Sequence, residues 1–247
     1  MKNIQNYCIC TVFLTGMLLM LSPGCKKDNN SGSGSGNSTA VFSPALTYGT
    51  MTDQDGNKCK TIQVGKQVWM AENLRVTTYR NGDPIVSTTP STLSISGEIN
   101  PIYQWPGMND ESQVATYGRL YTWTAVTDSR NIAPAGWHVA SIAEWTTLRD
   151  SLGGETFAGG KLKESGTTHW LSPNTGATNE SGFTALPGGL RDPGGFFYTN
   201  GQSSNWWTST EKTASNGWQA YTDAVSGSLL LLNSNKSVGY AVRCVKD

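Results

Sequence analysis

His138 and His169 are the only two histidines in the chain, so any imidazole chemistry must run through them. They stand far apart in sequence and show none of the spacings that bring two ligands to one zinc ion. His138 lies in "GWHV", between Trp137 and Val139, where a structural role is expected. The string "DQDGN" (53–57) carries acidic and amide oxygens in the manner of a calcium loop. An EF-hand beginning at Asp53 would need Gly at its sixth position, where Lys58 stands, and Glu at its twelfth, where Val64 stands. Asp55-Gly56 reads instead as a two-residue hairpin turn. A second oxygen-rich stretch, "NTGATNESG", offers Asn174, Asn179 and Glu180 as calcium candidates; the competing reading is a turn-rich loop whose Asn side chains bond their own backbone. Glu144 has a structural use, closing a capping box with Ser141. With no nucleophile, acid–base pair or metal set in view, the sequence predicts a non-enzyme with no catalytic residue and no cofactor beyond that calcium candidate.

The five cysteines must be read with the compartment. Lys2 precedes "YCICTVFLTGMLLML" (7–21), an apolar run shorter than the roughly 20 residues of a spanning helix and suited to a secretory signal. Residues 1–24 are therefore predicted to be a lipoprotein signal peptide. "LSPGC" then places Cys25 after a small residue and before a polar Gly/Ser-rich stretch, which predicts lipidation at Cys25. Ser22 departs from the aliphatic residue that a lipobox usually carries there. Residues 25–44 are the predicted lipidated tether, and 45–247 a single domain. The expected location is the cell envelope, lipid-anchored, at the outer membrane and displayed at the surface, with the membrane as a partner through the lipid. Cys8 and Cys10 leave with the signal, so Cys59 and Cys244 remain as an even pair in an oxidising compartment. If they pair, the two ends of the domain are neighbours.

Positive and negative side chains balance at 18 each, and no basic stripe predicts a nucleic-acid partner. Twenty-eight Gly, nine Trp and nine Tyr describe an aromatic, loop-rich domain. From Leu46 the chain reads as a strand meander with turns at Asp55-Gly56 and Gly65-Lys66. Residues 76–115 look irregular, a long surface excursion. "YGRLYTWTAVTD" predicts a short helix with Leu120, Trp123 and Val126 on one face. "SIAEWTTLRDSLGG" predicts a better-signed helix, with Ile142, Trp145, Leu148 and Leu152 as its apolar face and Gly153 as its stop. Residues 161–200 read mostly as loop. Four strands follow, in "NWWTSTE", "GWQAYTD", "SLLLLN" and "GYAVRCV". Trp206 and Trp207 alternate faces, predicting one buried and one partly exposed ring. The class is α+β.

Several strings, in order, carry a resemblance: "TDQDGNKCKTIQVGKQVWMAENLR", "YGRLYTWTAV", "PAGWHVASIAEWTTL", "GGKLKESGTTHW", "NTGATNESGFTALPGGLRD", "WWTSTE" and "GYAVRCV". Together they resemble the Fibrobacter succinogenes major paralogous domain family over residues 50–247. Its members are typically exported or lipid-anchored, with a largely undefined biochemical role. More distantly, "GWHVASIAEWTTL", "WWTSTE" and "GYAVRC" are similar to formylglycine-generating-enzyme-like domains and phage receptor-binding proteins. That likeness implies a C-type lectin-like fold, with two helices, small antiparallel sheets, long loops and adjacent termini. Many family members carry Cys before the proline of "PxGWH". Here that position is Ala133 and Cys59 appears instead, so the resemblance implies a Cys59–Cys244 disulfide. Both cysteines then read as structural, and the formylglycine-generating activity is not carried over. A lectin sugar site would want "EPN" or "QPD" plus "WND"; the nearest strings are "SPN" (172–174) and "MND" (108–110). The expected function is a non-catalytic recognition module for a glycan or protein ligand. Residues 192–237 would form its surface, with Tyr198, Trp218 and Tyr221 as contacts, and 137–153 its scaffold. The alternatives are an assembly component of the envelope and a calcium-dependent sugar binder.

Overall fold

The structure, a computed structural model, describes residues 37–98, 100–101 and 104–247. The predicted signal peptide, Cys25 and most of the predicted tether lie outside these residues.

Strands β1 (Gly49–Thr52), β2 (Lys58–Val64) and β3 (Gln67–Met70) form the expected antiparallel meander. Gly65, at φ +60°, begins the tight turn from β2 to β3, in a region of φ that glycine enters without steric cost. The β1–β2 connection is wider than the predicted two-residue turn and spans residues 53–57. There Asp53 Oδ1 accepts the amides of Asp55 at 3.1 Å and Asn57 at 2.9 Å, so its carboxylate organises a longer loop.

Strand β4 (Gln104–Pro106) pairs with β5 (Arg119–Tyr121), with α1 (Val114–Tyr117) between them and α2 (Trp123–Val126) after. Leu120 thus sits in a strand, not on the helix predicted across "YGRLYTWTAVTD". Gly118 ends α1 at φ +74°, and Arg119 N bonds Leu74 O at 3.1 Å, drawing the backbone into extended pairing. Strand β6 (Trp137–Val139) leads to α3 (Ile142–Ser151), whose capping box is complete: Glu144 N donates to Ser141 Oγ at 3.3 Å, and Ser141 N to Glu144 Oε2 at 2.8 Å. A second helix, α4 (Glu155–Leu162), follows where loop was expected from residue 161 and no helix from 155. Its Gly159 and Gly160 disfavour a helix, but a Cβ there would meet Ser228 O at 2.1 Å and Gly176 O at 2.3 Å. Close packing of two loops selects the glycines.

The short pair β7 (Leu190–Arg191) and β8 (Phe197–Tyr198) precedes β9 (Ser203–Glu211), β10 (Asn216–Asp223), β11 (Leu230–Asn235) and β12 (Cys244–Lys246). One sheet has the order β1-β2-β3-β12-β6 and a second the order β11-β10-β9. The last strand lies between β3 and β6, with Val245 opposite Trp69 and His138, so the two ends of the domain do share a sheet. The class is α+β, mostly β, in small antiparallel sheets.

Neighbouring residues on several strands face different cores. Trp69, Trp206 and Val245 join Trp145 and Phe183 in one cluster. Met70, Trp207 and Cys244 join Tyr121 and Val242 in the other. Alternation holds at Trp206 and Trp207, but both rings are fully buried, because β9 is covered on both faces. This corrects the half-exposed pair read from the sequence. Trp206 Nε1 donates to Asn73 Oδ1 and Trp207 Nε1 to Tyr121 O, each at 2.9 Å. Arg243, also buried, ties the cores together by donating to Asn73 Oδ1 at 2.7 Å, Met70 O at 2.7 Å and Phe183 O at 2.9 Å. Burial pulls its guanidinium down to about 9.

Cys59 and Cys244 are both buried and both free, which corrects the disulfide implied by the resemblance. Both belong to one cluster, but β3 lies between the strands that carry them. Cys59 itself lies beyond the stretch of β2 that pairs with β3, which begins at Thr61, and no bond joins the two thiols. Burial pushes the Cys59 thiol up to about 12 and raises that of Cys244 as well.

Candidate functional site

Strand β10 ends at a cleft of about 270 Å³, with Tyr221 and Asp223 on one side and Leu171 and Ser172 on another. Thr199, Gln202 and Ser203 supply its third wall, and Val225 stands at the rim, 71% exposed. Thr199 adopts φ +59°, unusual for a β-branched residue. The turn holds it there: Gln202 N and Ser203 N donate to Thr199 O at 2.9 and 3.1 Å, and Ser203 Oγ to Thr199 Oγ1 at 2.8 Å.

The polar groups of the cleft are fixed in advance. Tyr221 donates its hydroxyl to Asp223 Oδ2 at 3.0 Å, while Asp223 Oδ1 accepts the amides of Val225 at 3.0 Å and Ser226 at 2.8 Å. Burial, then the hydrogen bond and charge of Asp223, push the Tyr221 phenol up to about 12, so it stays neutral in physiological solution. Below the cleft lies Lys163, fully buried. Its Nζ donates to Thr175 O at 2.9 Å, Asp223 O at 2.7 Å and Ser226 O at 2.8 Å. One ammonium group thus pins both loops that form the rim. Burial lowers it to about 8. A ring face, hydroxyls, an amide and a fully engaged carboxylate can hold a neutral, amphipathic ligand by stacking and hydrogen bonding.

Of the three predicted contacts, Tyr221 lines this cleft. Tyr198 stands beside it on β8, 47% exposed, with its ring 6.4 Å from that of Phe196, itself 64% exposed. Trp218 does not line it: its ring lies under the Lys212 ammonium at 4.4 Å, above a register shift in β10. Leu171 reaches the cleft from 50 residues upstream of Tyr221, a juxtaposition no local pattern signals. The Asn200-Gly201 turn beside Thr199 was the one readable cue on that wall.

The calcium candidates have separate partners, although Asn174 Oδ1 is buried with none among the described residues. Asn174 Nδ2 donates to Glu164 O at 3.0 Å and Gly166 O at 2.6 Å. Asn179 Oδ1 accepts Thr184 N at 2.9 Å, and Glu180 pairs with Lys161 at 2.9 Å. Among the described residues, no group of three His, Cys, Asp or Glu side chains is placed to hold a metal ion. His138 sits between Asp247 at 2.7 Å and Glu144 at 2.6 Å. His169 bridges buried Glu164 at 2.7 Å and Thr39 Oγ1 at 3.0 Å, joining the incoming segment to the domain.

Comparison with known proteins bears on the whole of this architecture. The family model described as the Fibrobacter succinogenes major domain matches residues 62–246. The chain belongs to this family. Its Fibrobacter succinogenes major domain begins in β2, contains the Tyr221 cleft and both helices α3 and α4, and closes in β12. No curated protein and no solved structure matches the chain. The site of this Fibrobacter succinogenes major domain is therefore argued from its own geometry. Among the described residues, no helix is long and apolar enough to cross a membrane.

Proposed function

We propose that this protein is a lipid-anchored recognition module of the cell envelope, held by Cys25 and binding a glycan or protein ligand without chemical conversion. The observation that carries the reading is the preorganised Tyr221 cleft. Its polar groups are locked by Asp223 and Lys163, exposed Leu171 and Val225 line it, and exposed Tyr198 directly precedes Thr199 of its third wall. Aromatic contacts that are already ordered lose little entropy on binding. The fold is read as C-type lectin-like, supported by terminal strands in one sheet, a separate three-stranded sheet, two principal helices and long loops. In that reading the cleft falls on the late strands and their loops.

A glycan and protein array probed with the domain tests the binding. The hit should lose affinity in Tyr221→Ala and in Tyr198→Ala, with Trp218→Ala close to wild type. Unchanged binding in Tyr221→Ala at an intact fold would move the site elsewhere. Failure to bind any array element favours an assembly role in the envelope.

A further inference from the structure

A second cleft, of about 510 Å³, opens where the chain enters the domain. Its walls include Asn37 and Ser38 from the incoming segment, Lys58 and Lys60 from β2, and Glu72 and Arg75 after β3. Residues two apart on a strand share a face, so β2 offers both ammonium groups to one side. Lys60 Nζ stands over the rings of Phe42 and Tyr48, 4.3 and 5.2 Å from their centroids. These contacts position its charge without neutralising it. Arg75 is anchored by backbone oxygens, Nη1 to Ala115 O at 3.2 Å and Nη2 to Lys58 O at 3.0 Å. Its Nε is buried and has no hydrogen-bond partner among the described residues.

The nearby acids do not offset these charges by direct pairing. Glu72 accepts the backbone amide of Lys60 at 2.6 Å. Asp53 accepts amides of its own loop, and Asp55 accepts Thr77 N and the hydroxyls of Thr77 and Thr78. Three cationic side chains against one carboxylate leave the lining with two excess positive charges, in a chain whose formal net charge is zero. Arg75 is held by carbonyls on both Nη atoms, so its guanidinium adds a fixed positive charge beside the two ammonium groups.

We propose that this cleft binds the phosphoryl group of an organic anion, with the Lys58 and Lys60 ammonium groups as donors and the anchored Arg75 guanidinium as fixed positive charge beside them. A phosphomonoester carries about −1.5 to −2 charges and three acceptor oxygens, which matches the charge excess. A carboxylate supplies half that charge. The volume leaves room for the rest of a small organic ligand. A soluble phosphate monoester and the headgroup of phosphatidic acid share this chemistry.

The test is calorimetric titration of the full chain with inorganic phosphate, glycerol phosphate and short-chain soluble phosphatidic acid. At least one should bind, and Lys58→Gln/Lys60→Gln should weaken it by about tenfold or more with little change in the ligand-free melting temperature. Arg75→Gln should act in the same direction; should it fail to fold, the lysine variant still decides the matter. Tighter binding of phosphatidic acid than of glycerol phosphate assigns the cleft to a headgroup, and the reverse order to a soluble ester. Binding of none of the probes, or an affinity unmoved by Lys58→Gln/Lys60→Gln, overturns the proposal.

Discussion

Replacing Lys163 with Met removes the ammonium that holds the Tyr221 cleft from below, and the size of the loss follows from two opposing effects. Its Nζ makes three hydrogen bonds to carbonyls, at 2.7 to 2.9 Å. Bonds of this charge-assisted kind contribute about 1.5–3 kcal/mol each. Against them stands the cost of burying the charge, which lowers the ammonium from 10.5 to about 8, on the order of 3 kcal/mol. The hydrogen bonds prevail, so Lys163→Met should destabilise by about 2–5 kcal/mol at neutral pH. Linkage adds a signature that simple loss of packing lacks. Because the folded-state value lies below the unfolded one, the unfolded chain holds more protons between about 8 and 10.4. Wild-type stability therefore gains with rising pH in that window, and the variant lacks the gain. Urea unfolding followed by tryptophan fluorescence at pH 7, 8, 9 and 10 gives the difference directly. It should widen above pH 8 by roughly 1.4 kcal/mol per unit, other groups cancelling between the two proteins. A loss below about 1 kcal/mol at pH 7, with a difference flat in pH, would refute the reasoning.

Four further outcomes are expected. Trp145→Ala should cost about 3–5 kcal/mol in urea unfolding, since its ring packs 4.9 Å from Trp69 and 5.3 Å from Trp206; Trp145→Phe should cost much less, because Nε1 has no partner among the described residues. Burial opposes the His138 imidazolium, but its bonds to Asp247 and Glu144 outweigh burial and raise it above 6.5, while Glu144, despite its own burial, is held below 4.5 by Ser141 and His138. Their joint contribution should then be greatest between about pH 4.5 and 6.5, lost above as His138 deprotonates and below as Glu144 protonates; a His138→Gln comparison flat across pH 4 to 8 would rule this out. Alkylation of the native chain followed by peptide mapping should find Cys59 and Cys244 protected but unlinked, reacting only on unfolding, and a linked peptide pair would contradict the two free thiols. Metabolic labelling with a palmitate analogue should mark the wild type and not Cys25→Ala; equal labelling would remove the anchor from the proposal.

What could be read in advance depended on the range of the signal. The capping box at Ser141 and Glu144, the Gly65 turn and strands β9 to β11 are written in a few adjacent residues, and they stand where expected. Alternation at Trp206-Trp207 was legible, but not the second layer that covers β9, because its partners Asn73 and Tyr121 lie far away in sequence. Helix α4 was hidden by Gly159 and Gly160, whose presence answers Ser228 and Gly176 rather than helix propensity. The candidate site divides in the same way. Tyr221 and Tyr198 could be named from an aromatic, turn-rich late region, whereas Lys163 and Leu171 enter only through tertiary packing.

The position of β12 has a consequence for how the protein can be made. Cys244–Lys246, which follow every other described strand, fill the gap between β3 and β6. Until they arrive, β3 and β6 each keep an open edge, and the first sheet cannot close. Long-range pairing of this kind also makes for slow folding. A chain cut just before Cys244 would keep every other described helix and strand, yet with its principal sheet split in two.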